Sequence, residues 1–154
     1  MSPTDNIGYL LQHVAGVLFK QSDQALQEQL GVGFSQYKIL RVLQSTPGAR
    51  QKQIADWLGQ TEASISRQVR LLKERGLLRI EQSPKSRREH MLELTIKGER
   101  IIEESVRVLN KAQQGVFDDL GPKRQERLHE ILSFMHQEVC QSNKIGSCSH
   151  PFNL

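Results

Sequence analysis

The hydrophobic residues of this chain recur every three to four positions over most of its length, which is the period of an amphipathic α-helix. The first such segment runs from Asp5, a plausible N-cap, to Leu30, and Gly31 ends it. Five further helices are predicted at residues 35–44, 51–58, 61–75, 96–118 and 123–141. Most of the chain is therefore expected to be helical.

Between Gly76 and Thr95 the hydrophobic period changes from helical spacing to two. Leu78 and Ile80 alternate with charged residues, and Leu92 and Leu94 repeat the pattern after a polar loop at 83–88. This alternation predicts two short strands that form a hairpin. A short helix, a three-residue turn, a longer helix and a hairpin follow one another in a winged helix-turn-helix. The predicted fold class is mostly α with a small two-stranded β wing.

The net charge of +4 is modest, but its distribution along the 154 residues is uneven. Residues 51–98 carry ten basic and six acidic side chains, whereas residues 1–50 have a net charge of +1 and residues 99–154 of −1. The excess therefore falls on the helix-turn-helix and the hairpin. A basic centre between nearly neutral flanks indicates that one part of the chain meets phosphate.

The helix at 61–75 has the pattern of a helix that reads DNA. Ile65, Val69 and Leu72 share one face and can pack on the preceding helix, and Thr61 can cap the N-terminus. The outward side is predicted to carry Ala63, Ser64, Ser66, Arg67, Arg70 and Glu74. Serine permits close approach to a major groove and arginine can make two hydrogen bonds to guanine.

The hairpin loop adds a second basic group, formed by Lys85, Arg87 and Arg88. These side chains are placed to reach phosphate or a minor groove. Two other interpretations stay open, because a basic turn is often only solvated and a winged fold can serve as a protein-interaction module without DNA. The presence of Arg67 and Arg87 argues against the interaction module, because such a module would not require them.

Several motifs in and around this region resemble the MarR family of bacterial transcriptional regulators. They are Gln53-Ile-Ala-Asp-Trp-Leu-Gly59, Ser64-Ile-Ser-Arg67, Leu72-Lys-Glu-Arg-Gly-Leu-Leu-Arg79, the pair Arg87-Arg88 and Leu92-Glu-Leu-Thr-Ile-Lys-Gly98. The resemblance extends to the leading helix, with Asp23 and Leu26, and to the late Leu120-Gly-Pro. The ending Leu-Thr-x-x-Gly after a basic wing is its most specific part.

The resemblance implies a homodimer, each chain a single domain over 1–154, that binds double-stranded DNA at a palindromic operator, most often as a repressor. Residues 1–32 and 99–143 would form the dimerisation helices, 33–98 the DNA-binding lobe and 144–154 a tail. By position, Ser64, Ser66 and Arg67 correspond to recognition-helix contacts, and Arg87 to the wing-tip arginine. Arg70, Lys85 and Arg88 are added from charge and geometry.

Three positions depart from the family's pattern. Ser86 and Ser83 stand where aspartates are usual in the wing, so the wing is expected to be more positive and more mobile. Arg50 stands where a threonine usually caps the third helix. Because arginine cannot accept a hydrogen bond, that helix could lose about 1 kcal/mol unless another acceptor replaces the threonine.

The dimerisation lobe is also predicted from the pattern of its helices. The last helix carries a stripe formed by Leu128, Ile131, Leu132, Met135 and Val139. The preceding helix supplies Ile101, Ile102, Val106, Leu109, Val116 and Phe117. A chain of this size has few elements with which to cover both helices, which favours pairing with a second chain.

The sequence leaves the regulatory signal open. Family members often release DNA when a small aromatic or phenolic effector binds, and His13 and Phe19 of the first helix are candidates to line such a site. Cys140 and Cys148 could form an oxidation-linked disulfide, while His136 and Cys140 have i, i+4 spacing that could share a metal ion. A repressor without any ligand is the remaining alternative.

Other classes of protein are not indicated. No phosphate-binding loop, nucleophile elbow or metalloprotease pattern is present, so no enzymatic activity and no cofactor are expected. No apolar run reaches the roughly 20 residues of a membrane span. With two cysteines and no secretory signal pattern, a cytoplasmic location is expected.

Overall fold

The computed structural model describes residues 6–140 and contains six helices and one two-stranded antiparallel sheet in this range. In chain order the elements are α1 (Ile7–Leu30), α2 (Phe34–Ser45), α3 (Gln51–Leu58), α4 (Glu62–Glu74), β1 (Leu78–Ser83), β2 (Ser86–Leu94), α5 (Ile96–Leu120) and α6 (Pro122–Cys140). The predicted fold class, mostly α with a small β wing, is confirmed. Asp5 lies outside the described residues, and Asn6 occupies the N-cap position of α1 without a side-chain cap.

The C-terminus of α4 is closed by Gly76, which follows the C-cap residue Arg75. Gly76 has a φ of +69°, a left-handed conformation that side chains other than glycine rarely adopt. Its N–H donates to Lys73 O at 2.9 Å, and the N–H of Leu77 donates to Leu72 O at 2.9 Å. These two bonds satisfy carbonyls that the helix end leaves free, and they turn the chain directly into β1.

The main hydrophobic core lies under the helix-turn-helix and the sheet. Ile65, Val69 and Leu72 of α4 are buried in it, with Trp57 and Leu58 of α3 packed at its edge, as the spacing predicted. Its other large members come from α2, α3, the residue before β1, both strands and α5, and include Ile39, Leu40, Leu43, Ile54, Leu77, Leu78, Leu92 and Ile102. Burial of such a side chain contributes about 1.5–3 kcal/mol, so this core holds the outward face of α4 in place.

A smaller core joins α1 to α5 through Leu26, Val108 and Leu109. The N-terminus of α2 is attached to the same region, because Phe34 N–H donates to Asp23 Oδ1 of α1 at 2.8 Å. Not all of the apolar residues that α5 supplies are available for pairing with a second chain. Ile102 and Leu109 are buried within this chain, since they face the two cores.

The wing differs from its prediction in the position of its turn. β2 begins at Ser86, so Arg87 and Arg88 belong to a strand and not to the hairpin loop, which is reduced to Pro84 and Lys85. Strand pairing is regular from Leu78↔Leu94 to Gln82↔His90 and then jumps to Ser83↔Ser86. The β2 residues between Ser86 and His90 therefore lie in an irregular part of the ladder. A simple alternation pattern in the sequence does not reveal such an irregularity.

Candidate nucleic-acid interface

Helices α3 and α4 pack against each other across the turn formed by Gly59, Gln60 and Thr61. Thr61 is the N-cap of α4, and its Oγ1 accepts a hydrogen bond from Ser64 N–H at 3.2 Å. The predicted cap is thus present. It fixes the first turn of α4, the part that would enter a DNA groove, against the core.

One side of α4 faces solvent and carries the side chains predicted to read DNA. Ser66, Arg67 and Arg70 are exposed, while Ser64 is half-buried. The Ser64 hydroxyl points back to the turn, where it donates to Gln60 Oε1 at 3.5 Å. Arg70 has only a loose ion pair with Glu74, with Nε and Oε1 3.9 Å apart. This face therefore presents hydroxyl and guanidinium groups that can donate hydrogen bonds to a ligand.

The wing turn is held by one of the serines that replace the usual aspartates. Ser83 Oγ accepts a hydrogen bond from Lys85 N–H at 3.2 Å, which closes the turn locally. The Lys85 side chain is exposed. A serine can thus maintain this turn without adding a negative charge beside Arg87 and Arg88.

Arg50 connects the start of α3 to the wing. Its Nη1 lies 2.6 Å from Glu89 Oε1 on β2, and its backbone N–H donates to Gln53 Oε1 at 3.0 Å. Gln53 thus supplies one half of a capping arrangement, although Arg50 cannot accept a bond from the first turn. A hollow of about 250 Å³ lies between α3 and the wing and includes Lys85 in its lining.

The segment before α3 reinforces this attachment. Gly48 N–H donates to Leu92 O and Leu92 N–H donates to Ala49 O, both at 3.1 Å. The backbone of residues 48 and 49 thus pairs with β2 beyond the two-stranded sheet. These bonds fix the base of the wing relative to the helix-turn-helix, and the sequence pattern gave no sign of them because only two residues take part.

A cluster of aromatic and basic side chains lies where α1 meets α2. Phe19 contacts Phe34 edge to face, with ring centroids 5.3 Å apart, and Lys38 Nζ lies 5.8 Å from the centroid of each ring. Tyr37 stacks on Phe34 at 5.8 Å. Burial lowers the pKa of Lys38, and burial also raises the pKa of Tyr37 against an opposing effect of Arg41. Of this cluster, only Phe19 was predicted from the sequence as part of an effector site.

Among the described residues, the other sensor candidates lie on two different helices, α1 and α6. His13 is exposed and stacks on Tyr9, with centroids 6.0 Å apart. His136 is half-buried on α6, and Cys140 is the last residue of that helix. Cys148 lies outside the described residues. Within residues 6–140, no group of three or more metal-ligating side chains is close enough to hold an ion.

Comparison with known proteins shows which family this region resembles. Residues 30–89 match the sequence model of the MarR family. Over these residues the chain is similar to the MarR family. The matched residues run from the end of α1 through the helix-turn-helix into β2, so they include most of the surface described above. MarR-family proteins are regulators of transcription and not enzymes.

Individual relatives are similar over most of the chain. The transcriptional regulator HosA of Escherichia coli O111:H- is 24% identical over 124 residues, which are 80% of this chain and 92% of HosA. The DNA complex of Sco3205, a MarR-family regulator of Streptomyces coelicolor, is 24% identical with a TM-score of 0.74, covering 90% of this chain and 89% of Sco3205.

A second DNA complex is that of the repressor CouR, which is 25% identical to this chain with a TM-score of 0.74. It covers 86% of this chain and 93% of CouR. CouR from Rhodococcus jostii RHA1 has also been solved with p-coumaroyl-CoA bound. In the part of the chain that the structure describes, no helix is long and apolar enough to cross a membrane.

Proposed function

We propose that this protein is a transcriptional repressor that binds a palindromic operator as a homodimer. Helix α4 enters the major groove, and the wing reaches the adjacent minor groove. The observation that carries this proposal is the exposed face of α4, where Ser66, Arg67 and Arg70 are presented on a helix whose opposite face is buried in the main core. Ser64 takes part from the first turn, within reach of a base edge or a phosphate.

The electrostatics of the lobe support the same function. The net excess of basic residues lies between residues 51 and 98, where α4, Lys85, Arg87 and Arg88 are found. Positive groups concentrated on one lobe attract the phosphate backbone and release counterions on binding. Arg67 and Arg70 would supply contacts to bases or phosphates, and the wing residues would position the protein on the duplex.

Homodimer formation is supported by apolar side chains left on the surface of α1 and α6. Ile7, Leu10 and Leu11 of α1 and Ile131 and Leu132 of α6 are exposed by 39–55%. Together with Val14, Leu128 and Met135 they line a hollow of about 280 Å³. An apolar surface of this kind on two neighbouring helices is typical of a protein–protein interface. We infer that residues 1–32 and 99–143 form the dimerisation lobe.

Release by a small aromatic effector is the final part of the proposal. The cluster of Phe19, Phe34, Tyr37 and Lys38 offers ring faces, a phenol and an ammonium group where the dimerisation lobe meets the DNA-binding lobe. Such groups suit a ligand with an aromatic ring and an anionic substituent. That CouR binds p-coumaroyl-CoA, which contains a phenolic ring, supports this class of effector.

A salt series tests DNA binding without knowledge of the operator. Fluorescence anisotropy would measure the affinity for a labelled random-sequence duplex between about 50 and 200 mM salt. We expect log affinity to fall linearly with log salt, with a slope that corresponds to several phosphates per dimer. Binding that is absent at low salt, or independent of salt, would favour the protein-interaction module instead.

Sequence reading is tested by a pair of variants. Arg67→Ala should weaken binding to a duplex selected from the source genome more than binding to random duplex, because base contacts specify and phosphate contacts position. Arg100→Ala removes one exposed arginine from α5, far along the chain from α4, and serves as the control. Equal losses on both duplexes for Arg67→Ala would show that Arg67 contacts only the backbone. Arg87→Ala and Arg88→Ala should instead reduce the salt slope.

A further inference from the structure

The guanidinium of Arg75 joins the recognition helix to the dimerisation lobe. Arg75 is the C-cap of α4, and its Nη2 donates to Leu30 O at 3.0 Å, at the last residue of α1. Its Nη1 donates to the carbonyl oxygen of Gly31, which follows α1. One side chain therefore contacts two consecutive carbonyls at the end of a different helix.

The chemistry of these carbonyls explains why an arginine suits this place. The last carbonyls of a helix have no partner within the helix, and they carry the negative end of its dipole. A planar guanidinium can donate to both at once in a fixed orientation. A lysine could supply the charge but not the two-pronged geometry. Arg75 thus holds α1 at a defined angle as well as at a defined distance.

The same segment is held from the side of α5. Lys97 Nζ donates to Arg75 O at 2.8 Å, and Thr95 Oγ1 donates to Gly76 O at 2.6 Å. Both donors lie at the N-terminus of α5, which the proposed function assigns to the boundary of the dimerisation lobe. The C-terminal end of α4 is therefore fixed between the end of α1 and the start of α5.

Helices α4 and α1 pack on partly different elements, so the junction at Arg75 has an important role in their relative orientation. Helix α4 packs on α2, α3 and β1, whereas α1 packs on α2 and α5. Arg67 lies eight residues before Arg75, which is about 12 Å along the helix axis. A tilt of about 10° at the Arg75 end would therefore move the backbone of Arg67 by about 2 Å, more than a base contact tolerates.

We propose that Arg75 is a positioning residue that sets the orientation of the recognition helix relative to the dimerisation lobe, and hence the spacing of operator half-sites that the dimer accepts. This inference rests on the proposed function, because half-site spacing has meaning only for a dimer on DNA. Arg75 itself need not touch DNA. Its loss would relax the geometry of the reading surface without removing any of the contacting side chains.

A distance measurement tests the proposal without DNA. Nitroxide labels on Gln29→Cys and Ser66→Cys, in a background where Cys140 and Cys148 are serine, report the distance from α1 to the reading end of α4. Labelled chains are diluted with unlabelled protein so that only distances within one chain contribute. We expect Arg75→Ala to broaden or shift the distribution, and Arg75→Lys to give an intermediate effect. An unchanged distribution in Arg75→Ala would overturn the proposal.

A binding measurement then tests the consequence for the operator. The probe is a duplex selected by the wild-type protein, together with a version that has one base pair inserted between its half-sites, which rotates them by about 35°. We expect the wild type to lose at least about tenfold in affinity on the longer duplex, comparable to a mismatched base pair. Arg75→Ala should discriminate clearly less between the two. Retention of the full wild-type preference would contradict the role of Arg75.

The control for lost charge is Lys73→Ala, which removes an exposed cation from the last turn of α4. It should keep the wild-type distance distribution and spacing preference. If Lys73→Ala relaxed the spacing preference as much as Arg75→Ala does, charge and not the guanidinium geometry would be responsible. Failure of the wild type to bind any duplex would instead refute the proposed function, while the distance measurement would still decide the role of Arg75.

Discussion

Arg50 at the start of α3 and Glu89 of β2 form an ion pair across the base of the wing, with Nη1 and Oε1 2.6 Å apart. Both side chains are close to half exposed, so the pair contributes at most about 1 kcal/mol to folding. For the proposed DNA-binding function, its position beside the wing matters more than its contribution to stability. Under the proposed DNA-binding function, the carboxylate neutralises a cation beside the surface that would meet phosphate.

We therefore predict that Glu89→Gln raises the affinity for random duplex at low salt. The substitution removes a negative charge beside the polyanion and releases the Arg50 guanidinium. The unfolding free energy should fall by less than about 1 kcal/mol. Anisotropy titrations and urea unfolding measure the two effects.

Glu81→Gln is the matched control for this prediction. Glu81 pairs with Arg79 on the same hairpin, with Nε and Oε1 2.7 Å apart, and both side chains are exposed. Loss of its charge should raise the affinity for random duplex less than Glu89→Gln does. Its partner Arg79 lies on β1, further from the wing turn than Arg50, which lines the same hollow as Lys85. If the two substitutions raised the affinity for random duplex equally, net charge alone would account for the result and Arg50 would have no specific role.

Gly98 is required because the backbone of another segment occupies the space of a side chain. A Cβ at this position would lie 2.1 Å from Leu77 O, a backbone atom that cannot move without shifting β1. We predict that Gly98→Ala lowers the unfolding free energy by at least about 2 kcal/mol, as overpacking does. Helix propensity alone predicts the opposite sign, a gain of up to about 1 kcal/mol.

The control for Gly98 lies in the same helix. Gly115 of α5 has no atom within 4 Å of the position where its Cβ would be. Gly115→Ala should stabilise the protein by about 0.5–1 kcal/mol, because only the propensity acts there. Urea unfolding of both variants compares them directly. A loss of stability in Gly115→Ala similar to that of Gly98→Ala would show that α5 rejects any added methyl group.

The comparison of these two glycines shows what sequence patterns can and cannot reveal. The period of the apolar residues was enough to predict every helix, the hairpin and the buried face of α4 that carries Ile65 and Val69, because burial of a stripe depends only on local spacing. The close approach of Gly98 to Leu77 is a contact between elements. A family motif can mark such a glycine, but only the structure gives the reason for it.

The parts of the candidate interface that the sequence did not predict are also contacts between elements that lie far apart in the chain. The ion pair of Arg50 with Glu89 spans 39 positions, and the bonds of Arg75 to Leu30 and Gly31 span 45 and 44. Each looked like an ordinary surface arginine or a lost cap, since no short-range pattern connects the partners. The wing turn was misplaced because an irregular strand does not keep the period of two on which the prediction relied.

The apolar face of α6 should control oligomeric state. Ile131 is 47% exposed and lines the hollow between α1 and α6. We predict that Ile131→Glu shifts the protein from dimer to monomer, because a buried carboxylate at an apolar interface has no partner. Sedimentation velocity over a range of concentrations measures the shift. DNA affinity should fall with it, since a dimer binds two half-sites and a monomer one.

Ile96→Glu is the control for this surface. Ile96 is 71% exposed at the first turn of α5, outside the α1–α6 face. The same substitution there should leave the protein dimeric. A wild type that sediments as a monomer at all concentrations would contradict the dimer proposal, and dissociation in Ile96→Glu would place the interface elsewhere.

Lys38 should make the stability of the protein depend on pH in the alkaline range. Burial lowers the pKa of its ammonium below the ordinary value of 10.5, so the folded state releases the proton before the unfolded state does. Stability therefore rises with pH between the two pKa values, and the penalty is fully present below them. Urea unfolding from about pH 8 to 11 should show that the unfolding free energy of the wild type rises relative to that of Lys38→Met as pH increases. A difference between the two proteins that stays constant over this range would show that burial does not perturb Lys38.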